Sequence, residues 1–521
     1  MQSQHQFSQT PSVDIPRSSF NLSYPLKTTF DADGLIPIAR PVDIMPGDTF
    51  SWDTKFFIRL ATPLHPIMDN MYFETFAFFV PYRLIWDNFE KFHGAQDDPG
   101  DSTDFTIPTH GEINLSLGSL GDYFGLPTGI DLNGISNLPA RAYTLIYNEW
   151  FRDENLQNSQ TVTTGNGPDM DSRIEANPLD RGKRFDYFTG CLPWPQKGSA
   201  VSLPLGTSAP VAYDAAGATA VSVYAPSHSG TDYSELISSG SGNPVTTESV
   251  NTGIVGESLY ADLSDATAAT INDLRLSVQT QALLERDARM GTRYVEVIKA
   301  HWGVTSPDFR LQRPEFLGGG SSRINVTPVA QTSGQPVPAA DDSLGNLAGF
   351  GTGSGSHSWS QSFTEHGVVI ILGNVRSDIT YFQGVDRYWH KSTRYDFFYP
   401  LLSQIGEQAV LNSEIYYQDT SADDDVFGYQ ERYAEYRFQN GAVTGLMRPG
   451  VSGTLESWHL AEEFSSLPTL GNTFIKSNTE VPLDRAIAVS SEPQFIADFF
   501  HQVRAARPMP LFGIPGSLAR L

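Results

Sequence analysis

The chain of 521 residues contains one cysteine, Cys191, and no long apolar run. A single thiol excludes an internal disulfide framework and a cysteine-rich zinc site, and without a paired histidine motif it indicates an ordinary buried thiol. No window approaches eighteen apolar residues, so we expect no membrane-spanning helix. The N-terminus lacks the basic start and apolar run of a secretory signal. These absences predict a protein that folds in a reducing cytoplasm.

Positive charge is also scarce. The chain has 34 Lys and Arg against 59 Asp and Glu, which gives a net charge of −25. Between Lys197 and Arg275 there is no Lys or Arg at all. Because phosphate binding needs Lys and Arg, we do not expect nucleic acid to bind over the whole surface. Any such binding must be local.

The usual catalytic and metal motifs are missing. There is no phosphate-binding loop, no G-x-S-x-G elbow and no H-E-x-x-H pair. Residues 31–34, Asp-Ala-Asp-Gly, begin like a calcium loop but lack the later ligands, so we interpret them as a turn. The acidic run at residues 423–425 indicates a solvated loop. We therefore expect no metal, no cofactor and no enzymatic activity.

The strongest structural signal lies in residues 49–86. After the turn residues Pro-Gly-Asp at 46–48, apolar and polar residues alternate, which predicts a strand with one face in a core. The core face carries Trp52, Thr54, Phe56, Ile58 and Leu60, and the other face carries Asp53, Lys55, Phe57 and Arg59. Residues 71–80 are apolar on nearly every position, which predicts a central strand covered on both faces.

The remaining pattern is of strands separated by long connections. We predict strands at 294–302, 367–373 and 379–383, and short helices at 84–93, at 140–154 and between Ser264 and Gly291. Residues 20–46 are extended, and we expect them to lie along a surface and to reach a neighbouring subunit. The Gly- and Ser-rich residues 317–360 indicate an irregular connection. This pattern predicts a mainly β sandwich or jelly roll whose large loop insertions carry the short helices.

Several long segments resemble one known family. They include MPGDTFSWDTKFFIRL, RAYTLIYNEWFRDENLQ, RGKRFDYFTGCLPWPQKG, SFTEHGVVIILGNVRSDITYFQG and PQFIADFFHQVRAARPMPLFGIPG. These segments are similar to the major capsid protein of the Microviridae, small single-stranded DNA phages, in the gokushovirus branch. The resemblance implies an eight-stranded antiparallel jelly roll that self-assembles into a T = 1 icosahedral shell around circular single-stranded DNA.

The resemblance also implies partners and places. We expect a homo-oligomeric shell in the virion, assembled in the host cytoplasm with internal scaffolding, small DNA-binding and DNA-pilot proteins, and a bacterial surface receptor. It implies one capsid domain over 1–521, in five parts. These are an extended arm at 1–48, the first jelly-roll strands and loops at 49–198, a three-fold surface protrusion at 199–257, the remaining strands, helix and loops at 258–498, and a basic tail at 499–521.

The tail is the local exception to the acidic chain. After Asp498 no acidic residue occurs, while the tail carries Arg504, Arg507 and Arg520. Arginine on phosphate and an aromatic ring on an unstacked base are the usual parts of a single-strand site. We predict that these arginines face DNA, and that the aromatic residues of the same tail, Phe499, Phe500 and Phe512, lie beside them. The alternative is that the arginines pair with carboxylates of a neighbouring subunit.

The acidic insertion is the candidate attachment surface. Recognition residues tend to lie on loops that a rigid scaffold holds. Because screening limits charge effects to about 8 Å in physiological salt, recognition must depend on close contacts. The candidates are Tyr213, Val221, Val223, Tyr224 and Tyr233. The alternative is a passive clasp at the three-fold axis.

Two other functions stay open at this stage. A β-sandwich protein that binds or hydrolyses glycans would combine carboxylates with aromatic platforms. Glu365, Asp386 and Glu431 lie near Trp359, Trp389 and Tyr433 in the sequence. An adhesin that binds a receptor without building a shell is the third possibility.

Overall fold

The structure is a computed structural model. It describes residues 15–98, 100–102, 104–169, 172–201, 211–212, 221–223, 233–237, 246–250, 260–261, 271–290, 294–305, 312–332 and 347–512. The chain divides into two compact units, one formed by residues 1–195 and 301–521 and the other by residues 196–300.

The larger unit is built on one curled antiparallel sheet of ten strands. In chain order the strands are β1 Ser18–Asn21, β2 Tyr24–Phe30, β3 Ile36–Pro37, β4 Val42–Ile44, β5 Thr49–Leu60, β6 Met71–Pro81, β7 Glu315–Ala330, β8 Leu347–Ser362, β9 Gly367–Ser377 and β10 Phe495–Arg507. Their order across the sheet is β1-β10-β5-β8-β7-β6-β9-β3, with β2 also paired to β10 and β4 to β9. The prediction of a mainly β, jelly-roll fold with large insertions is confirmed.

The helices lie in the connections between strands, and all of the described ones are short except α4, which has 19 residues. The described α-helices are α1 Phe89–Phe92, α2 Leu120–Tyr123, α3 Leu138–Ile146, α4 Ile271–Arg289, α5 Tyr294–Trp302, α6 Asn412–Ile415, α7 Asn472–Ile475 and α8 Glu480–Ala486. Among the helices that the structure describes, none combines the length and the apolar character that crossing a membrane requires.

Small sheets accompany the main one. In the larger unit, Ile113–Asn114 pairs with Asp131–Leu132, and Glu407–Leu411 pairs with Val426–Glu431. In the unit of residues 196–300, the described strands form a three-stranded sheet and a two-stranded sheet. They are Val221–Val223, Tyr233–Ile237 and Thr246–Val250 in the first, and Val211–Ala212 with Tyr260–Ala261 in the second.

The two strands predicted within residues 49–86 are β5 and β6 at the centre of the main sheet, but they do not form a hairpin, because β8 and β7 lie between them. The alternating residues of β5 turn one face inward, and all five residues predicted to face the core are buried. Trp52 stacks on Trp359 of β8 with ring centroids 5.9 Å apart, and Phe56 packs edge-on against Phe73 of β6 at 4.8 Å. The concave side of the curled sheet therefore holds an aromatic core.

A second core lies on the convex side of β6 and β9. Phe78 and Val80 of β6 and Ile370 of β9 are buried there, together with the apolar side of α3. This is why β6 is apolar on both faces, as the sequence predicted, and β9 is buried along its whole length.

The prediction of an irregular connection at 317–360 was wrong. Most of these residues belong to β7 and β8, which have 16 residues each and pair with β6 and β5. Their glycines are needed for close packing: a Cβ on Gly319 would lie 2.0 Å from the carbonyl oxygen of Thr75, and one on Gly355 would lie 2.7 Å from the ring of Phe56. Glycine in a strand here marks the close approach of neighbours rather than a loop.

Two further predictions are corrected. Residues 294–302 form helix α5 rather than a strand, because their apolar and aromatic residues also recur at the spacing of four that suits a helix. Residues 379–383 form no strand, and only Thr380 makes an isolated bridge, to Gly441. Residues 20–46 are extended, as expected, and contribute strands that pair with β10 and β9; their contact with a neighbouring subunit stays a prediction.

The predicted helices are only partly as expected. Residues 84–93 give a 3₁₀ turn at Tyr82–Leu84 and the single turn α1. Helix α3 ends at Ile146 and continues as a π-helical turn, Tyr147–Phe151. The helix expected after Ser264 is α4, although Ser264 itself lies outside the described residues.

Candidate nucleic-acid interface

One part of the main sheet has a convex side that the described residues leave open to solvent. It consists of the outward residues of β2, β10, β5 and β8, and we call it the bare face. Phe57 of β5 is 53% exposed and Phe500 of β10 is 46% exposed, whereas their chain neighbours Phe56 and Phe499 are buried. The alternation of the strands thus presents one aromatic set to the core and another to the outside.

The bare face concentrates positive charge on a strongly acidic chain. Its charged residues are four cations, Lys27, Lys55, Arg59 and Arg504, and two acids, Asp53 and Asp498. Since the whole chain has a net charge of −25, this local excess of cations is the reverse of the average surface. If the protein binds phosphate groups, this face is where the charge favours it.

The strand register places cations beside aromatic rings. Lys55 lies opposite Phe500, and Phe57 lies opposite Asp498. Along β5 the outward residues are Lys55, Phe57 and Arg59 in turn, each about 7 Å from the next because alternate residues of a strand share a face. This gives a cation, a ring and a cation in one row.

Strand β8 adds a row of hydroxyls to the bare face. Its outward residues after Thr352 are Ser354, Ser356, Ser358, Ser360 and Ser362. Ser354 lies opposite Phe57 and Ser356 lies opposite Lys55, and Ser356 donates a hydrogen bond to Asp53. These small side chains leave the outward ring of Phe57 accessible from the side. Their hydroxyl groups can donate hydrogen bonds to phosphate oxygens.

A groove marks one end of the bare face. It has a volume of about 750 Å³ and lies between β2, β5, β10 and the loop at 117–118. Lys27, Arg59, Phe57, Ile496 and Asp498 line it on the sheet side, and Asp31 and Asp122 also line it. The groove is open rather than enclosed, which suits a polymer that passes through more than a small ligand that must be surrounded.

The structure separates the predicted DNA-facing arginines. Arg504 is exposed on the bare face, opposite Ser51. Arg507 is an odd number of residues further along the same strand and turns to the other side. There its guanidinium donates to the buried Asp48 at 3.0 Å and lies over the ring of Phe50 at 5.3 Å. Arg507 therefore has a carboxylate partner within its own chain.

The aromatic residues of the tail are also partly buried and partly exposed. Phe499 is fully buried in the concave core, so it is not accessible to a base. Phe500 lies on the bare face, and Phe512 is exposed beyond the end of β10. Arg520 lies outside the described residues.

A buried histidine links the strands of the bare face on their inner, concave side. His501 is fully buried on the concave side of β10; its Nε2 donates to the carbonyl of Ile38 at 2.8 Å, and its Nδ1 lies 3.1 Å from the hydroxyl of Thr54. Burial lowers the pKa of His501 to about 4. The neutral ring therefore ties β5, β10 and the N-terminal segment together at physiological pH.

The candidate attachment residues lie in the unit of residues 196–300. Val221 and Val223 belong to one strand of its three-stranded sheet, and Tyr233 begins the next strand. Tyr213 and Tyr224 lie outside the described residues. Their role stays a prediction.

Other candidates from the sequence have structural roles. The Asp33 carboxylate accepts the backbone N–H groups of Thr479 and Glu480 at the start of α8, and Asp423 accepts those of Gln418 and Thr420. The Cys191 thiol is buried and donates to the carbonyl of Tyr187. Within the described residues, no group of three or more His, Cys, Asp or Glu is arranged to hold a metal.

Two of the three carboxylates of the glycan alternative are engaged in ion pairs. Glu365 forms a two-point ion pair with Arg83, at 2.8 and 3.2 Å. Glu431 pairs with Arg437, and Asp386 lines a separate cavity with Trp389. A pair of free carboxylates flanking one bond, which glycoside hydrolysis requires, is not formed by these three residues.

The sequence identified only part of the bare face. Lys55, Phe57 and Arg59 were placed on the outward face of the first strand, but without the register nothing linked them to the tail. Lys27 and Arg504 join them only because β2, β10 and β5 are neighbours in the sheet.

Comparison with known proteins agrees with this architecture. A family described as "Capsid protein (F protein)" matches residues 8–517. The chain is 45% identical to capsid protein VP1 of Bdellovibrio phage phiMH2K, covering 99% of this chain and 98% of that protein. It is 40% identical to capsid protein VP1 of Chlamydia phage 1, covering 98% and 97%, and 34% identical to capsid protein VP1 of Spiroplasma virus 4, covering 98% and 97%.

The similarity spans both units, so it applies to the whole chain rather than to a shared module. The relatives are structural proteins of virus shells, which does not favour the glycan alternative. A homo-oligomeric shell and a place in the virion follow from this kinship. The chain therefore belongs to the phage capsid protein (F protein) family and is a major capsid protein of gokushovirus type.

Proposed function

We propose that copies of this protein form a T = 1 icosahedral shell around circular single-stranded DNA, and that the bare face is turned toward the DNA. The observation that carries this proposal is the local reversal of charge: four cations and two exposed phenylalanines share one sheet face of a chain with net charge −25. Single-stranded nucleic acid is bound by this combination of cations that follow the backbone and rings that stack on bases.

The bare face would bind DNA without reading its sequence. Lys27, Lys55, Arg59 and Arg504 supply charge to phosphates, and Phe57 and Phe500 supply flat surfaces that accept any base. Asp53 and Asp498 reduce the net attraction of each copy. The many identical copies in a shell would each bind the DNA weakly, and together these contacts would hold the genome. Each single contact could still dissociate.

Mutation of the bare face tests this proposal. We expect the triple variant Lys55→Gln, Arg59→Gln, Arg504→Gln to retain less DNA and to bind oligo(dT) with a log–log salt slope shallower by about 2, since each single-strand phosphate contact contributes about 0.7. The measurement is fluorescence anisotropy of labelled oligo(dT) over a salt series, together with the DNA content of purified particles.

A matched control removes three exposed cations elsewhere. The variant Arg40→Gln, Arg437→Gln, Arg448→Gln carries the same change in net charge and should keep the wild-type slope. Equal slopes in the two triple variants would refute a specific role of the bare face. Loss of particles with unchanged oligo(dT) binding would instead assign the bare-face cations to subunit contacts.

We also propose that the insertion at 199–257 forms a protrusion at the three-fold axes and contacts the host receptor. Residues 196–300 form a compact unit of their own, which supports the view that the main sheet does not need them. Replacing 199–257 by a short Gly-Ser bridge should leave particles that assemble but sediment poorly with host cells. Failure to assemble would favour the passive clasp, and normal attachment would exclude this receptor site.

The remaining expectations are proposed in the same way. Assembly would occur in the host cytoplasm with internal scaffolding, small DNA-binding and DNA-pilot proteins, and the protein would have no catalytic activity. Co-expression with and without the other phage proteins, followed by sedimentation, shows whether closure needs them.

A further inference from the structure

A large aromatic surface lies outside the main sheet. It comprises Tyr388, Trp389, Tyr395, Phe397, Phe398, Tyr399, Leu401 and Tyr436, and we call it the aromatic ridge. All eight side chains are exposed; Trp389 is 74% exposed and Leu401 is 89% exposed. A contiguous apolar patch of this kind is rare on a protein that stays monomeric.

The aromatic ridge is held in place by its own contacts. The Lys391 ammonium lies over the rings of Tyr388, Phe397 and Tyr436 at 5.5, 5.1 and 4.4 Å, and it donates to the Tyr436 hydroxyl at 2.8 Å. Phe398 packs edge-on against Tyr436 with centroids 6.2 Å apart. Because these side chains are ordered before any partner arrives, binding them costs less entropy than binding mobile ones.

The backbone of the ridge is fixed as well. The carboxylate of Asp396 accepts the backbone N–H of Thr393 at 2.7 Å and of Ser392 at 3.1 Å. Arg432 donates to the carbonyl of Tyr395 at 2.9 Å. These bonds brace a segment of three short 3₁₀ turns whose rings point outward.

The charges around the aromatic ridge do not favour DNA. The charged residues of the ridge and of the cavity beside it are four cations and four acids: Arg387, Lys391, Arg394, Arg432, Asp386, Asp396, Glu414 and Glu435. Arg387 is paired with Glu414 at 2.9 Å. Residues 397–405, FFYPLLSQI, carry no charge at all. A surface with no net positive charge lacks the main attraction for phosphate.

The charge of the whole chain then identifies the partner. Copies with a net charge of −25 repel one another, so a close contact is favoured where the surface carries no net negative charge. The aromatic ridge is such a place. Aromatic side chains bury about 150–250 Å² each, so the seven aromatic side chains of the ridge, about half exposed, together with Leu401 offer roughly 800 Å², the area that each partner contributes to a standard interface.

We infer that the aromatic ridge is a contact between copies of this chain. This inference rests on the shell described under the proposed function, and it assigns one of the surfaces that close it. The ridge also borders a cavity of about 370 Å³ lined by Tyr388, Trp389, Tyr436 and Phe438. Such relief allows the neighbouring copy to interlock with the ridge rather than slide over it.

Footprinting of intact particles tests the inference directly. Hydroxyl radicals oxidise exposed Trp and Tyr side chains, so Trp389 and Tyr399 should lose reactivity at least fivefold when dissociated subunits become particles. Phe57, on the bare face, serves as an internal comparison in particles emptied of DNA and should keep its reactivity. Unchanged reactivity of Trp389 and Tyr399 in particles would overturn the inference, whereas absence of particles would instead count against the shell.

A charge placed on the ridge gives the second test. Leu401→Asp should raise the protein concentration needed for assembly at least tenfold, with an unchanged Tm of the free subunit because Leu401 has little packing to lose. Met68→Asp is the matched control, since Met68 is 70% exposed in another loop. Wild-type assembly of Leu401→Asp, or an equal defect in Met68→Asp, would refute the inference. Normal assembly with loss of DNA from Trp389→Ala particles would assign the ridge to the genome.

Discussion

The two ends of the main sheet obey the same alternation but differ in what covers their convex sides. At β6 and β9 the convex residues are apolar, such as Phe78 and Ile370, and helix α3 with its loops buries them. At β5 and β10 the convex residues include Lys55, Arg59 and Arg504, and the face stays open. A strand whose second face is charged needs no cover, so the chain can leave that side free for a partner.

The comparison also separates stability from function among the phenylalanines. Burying an aromatic side chain stabilises a fold by several kcal/mol, whereas an exposed one contributes little. Phe78 lies in a closed core, and Phe57 lies half exposed among cations. The first is explained by packing alone, and the second is accounted for by the proposed binding of DNA to the bare face.

The largest expected effect tests this contrast with two matched substitutions. Phe78→Ala should lower the free energy of unfolding by about 3–5 kcal/mol, because it leaves a cavity between β6 and its cover. Phe57→Ala should lower it by less than about 1 kcal/mol. Urea unfolding of the free subunits measures both. Similar losses in the two variants would show that the bare face is covered within the subunit.

The next effect separates the two arginines of β10. Arg507→Gln should destabilise the subunit by about 2–3 kcal/mol, since it leaves the buried Asp48 carboxylate without its cation. Arg504→Gln should leave stability unchanged and reduce oligo(dT) binding. The reverse result, with Arg504 stabilising and Arg507 binding DNA, would contradict the assignment of the two faces.

The smallest expected effect is the loss of stability at low pH that is caused by the buried His501. The pKa of His501 is lowered to about 4 in the folded protein, against about 6.5 in an unfolded chain. Between these values the unfolded state binds the extra proton, so stability falls as the pH decreases. The expected loss from pH 7 to pH 5 is about 2 kcal/mol.

The matched variant for this prediction is His501→Gln, which cannot take up a proton in this range. Its unfolding free energy should depend less steeply on pH than that of the wild type, by the same amount. Parallel pH profiles of the two proteins would contradict the assignment, whatever the stability of the variant at pH 7.

Some of the fold followed directly from the sequence. The strands β5 and β6 were correctly predicted because strong alternation and a long apolar run both have one physical solution, a half-buried and a fully buried strand. The long strands β7 and β8 were missed because their inward positions include glycines such as Gly320 and Gly355, which make room for the rings of His357 and Phe56. A pattern of Gly and Ser looks like a loop until the residues opposite it are known.

The candidate site shows the same division. By itself the sequence determined that the chain is acidic, that its C-terminal part is locally basic, and that Lys55, Phe57 and Arg59 share a strand face. Only the tertiary structure decided that Arg504 joins them while Arg507 turns to Asp48. The physical reason is that local periodicity fixes which residues share a face of one strand, whereas the pairing of β10 with β5, more than 400 residues apart in the chain, depends on the packing of the whole core.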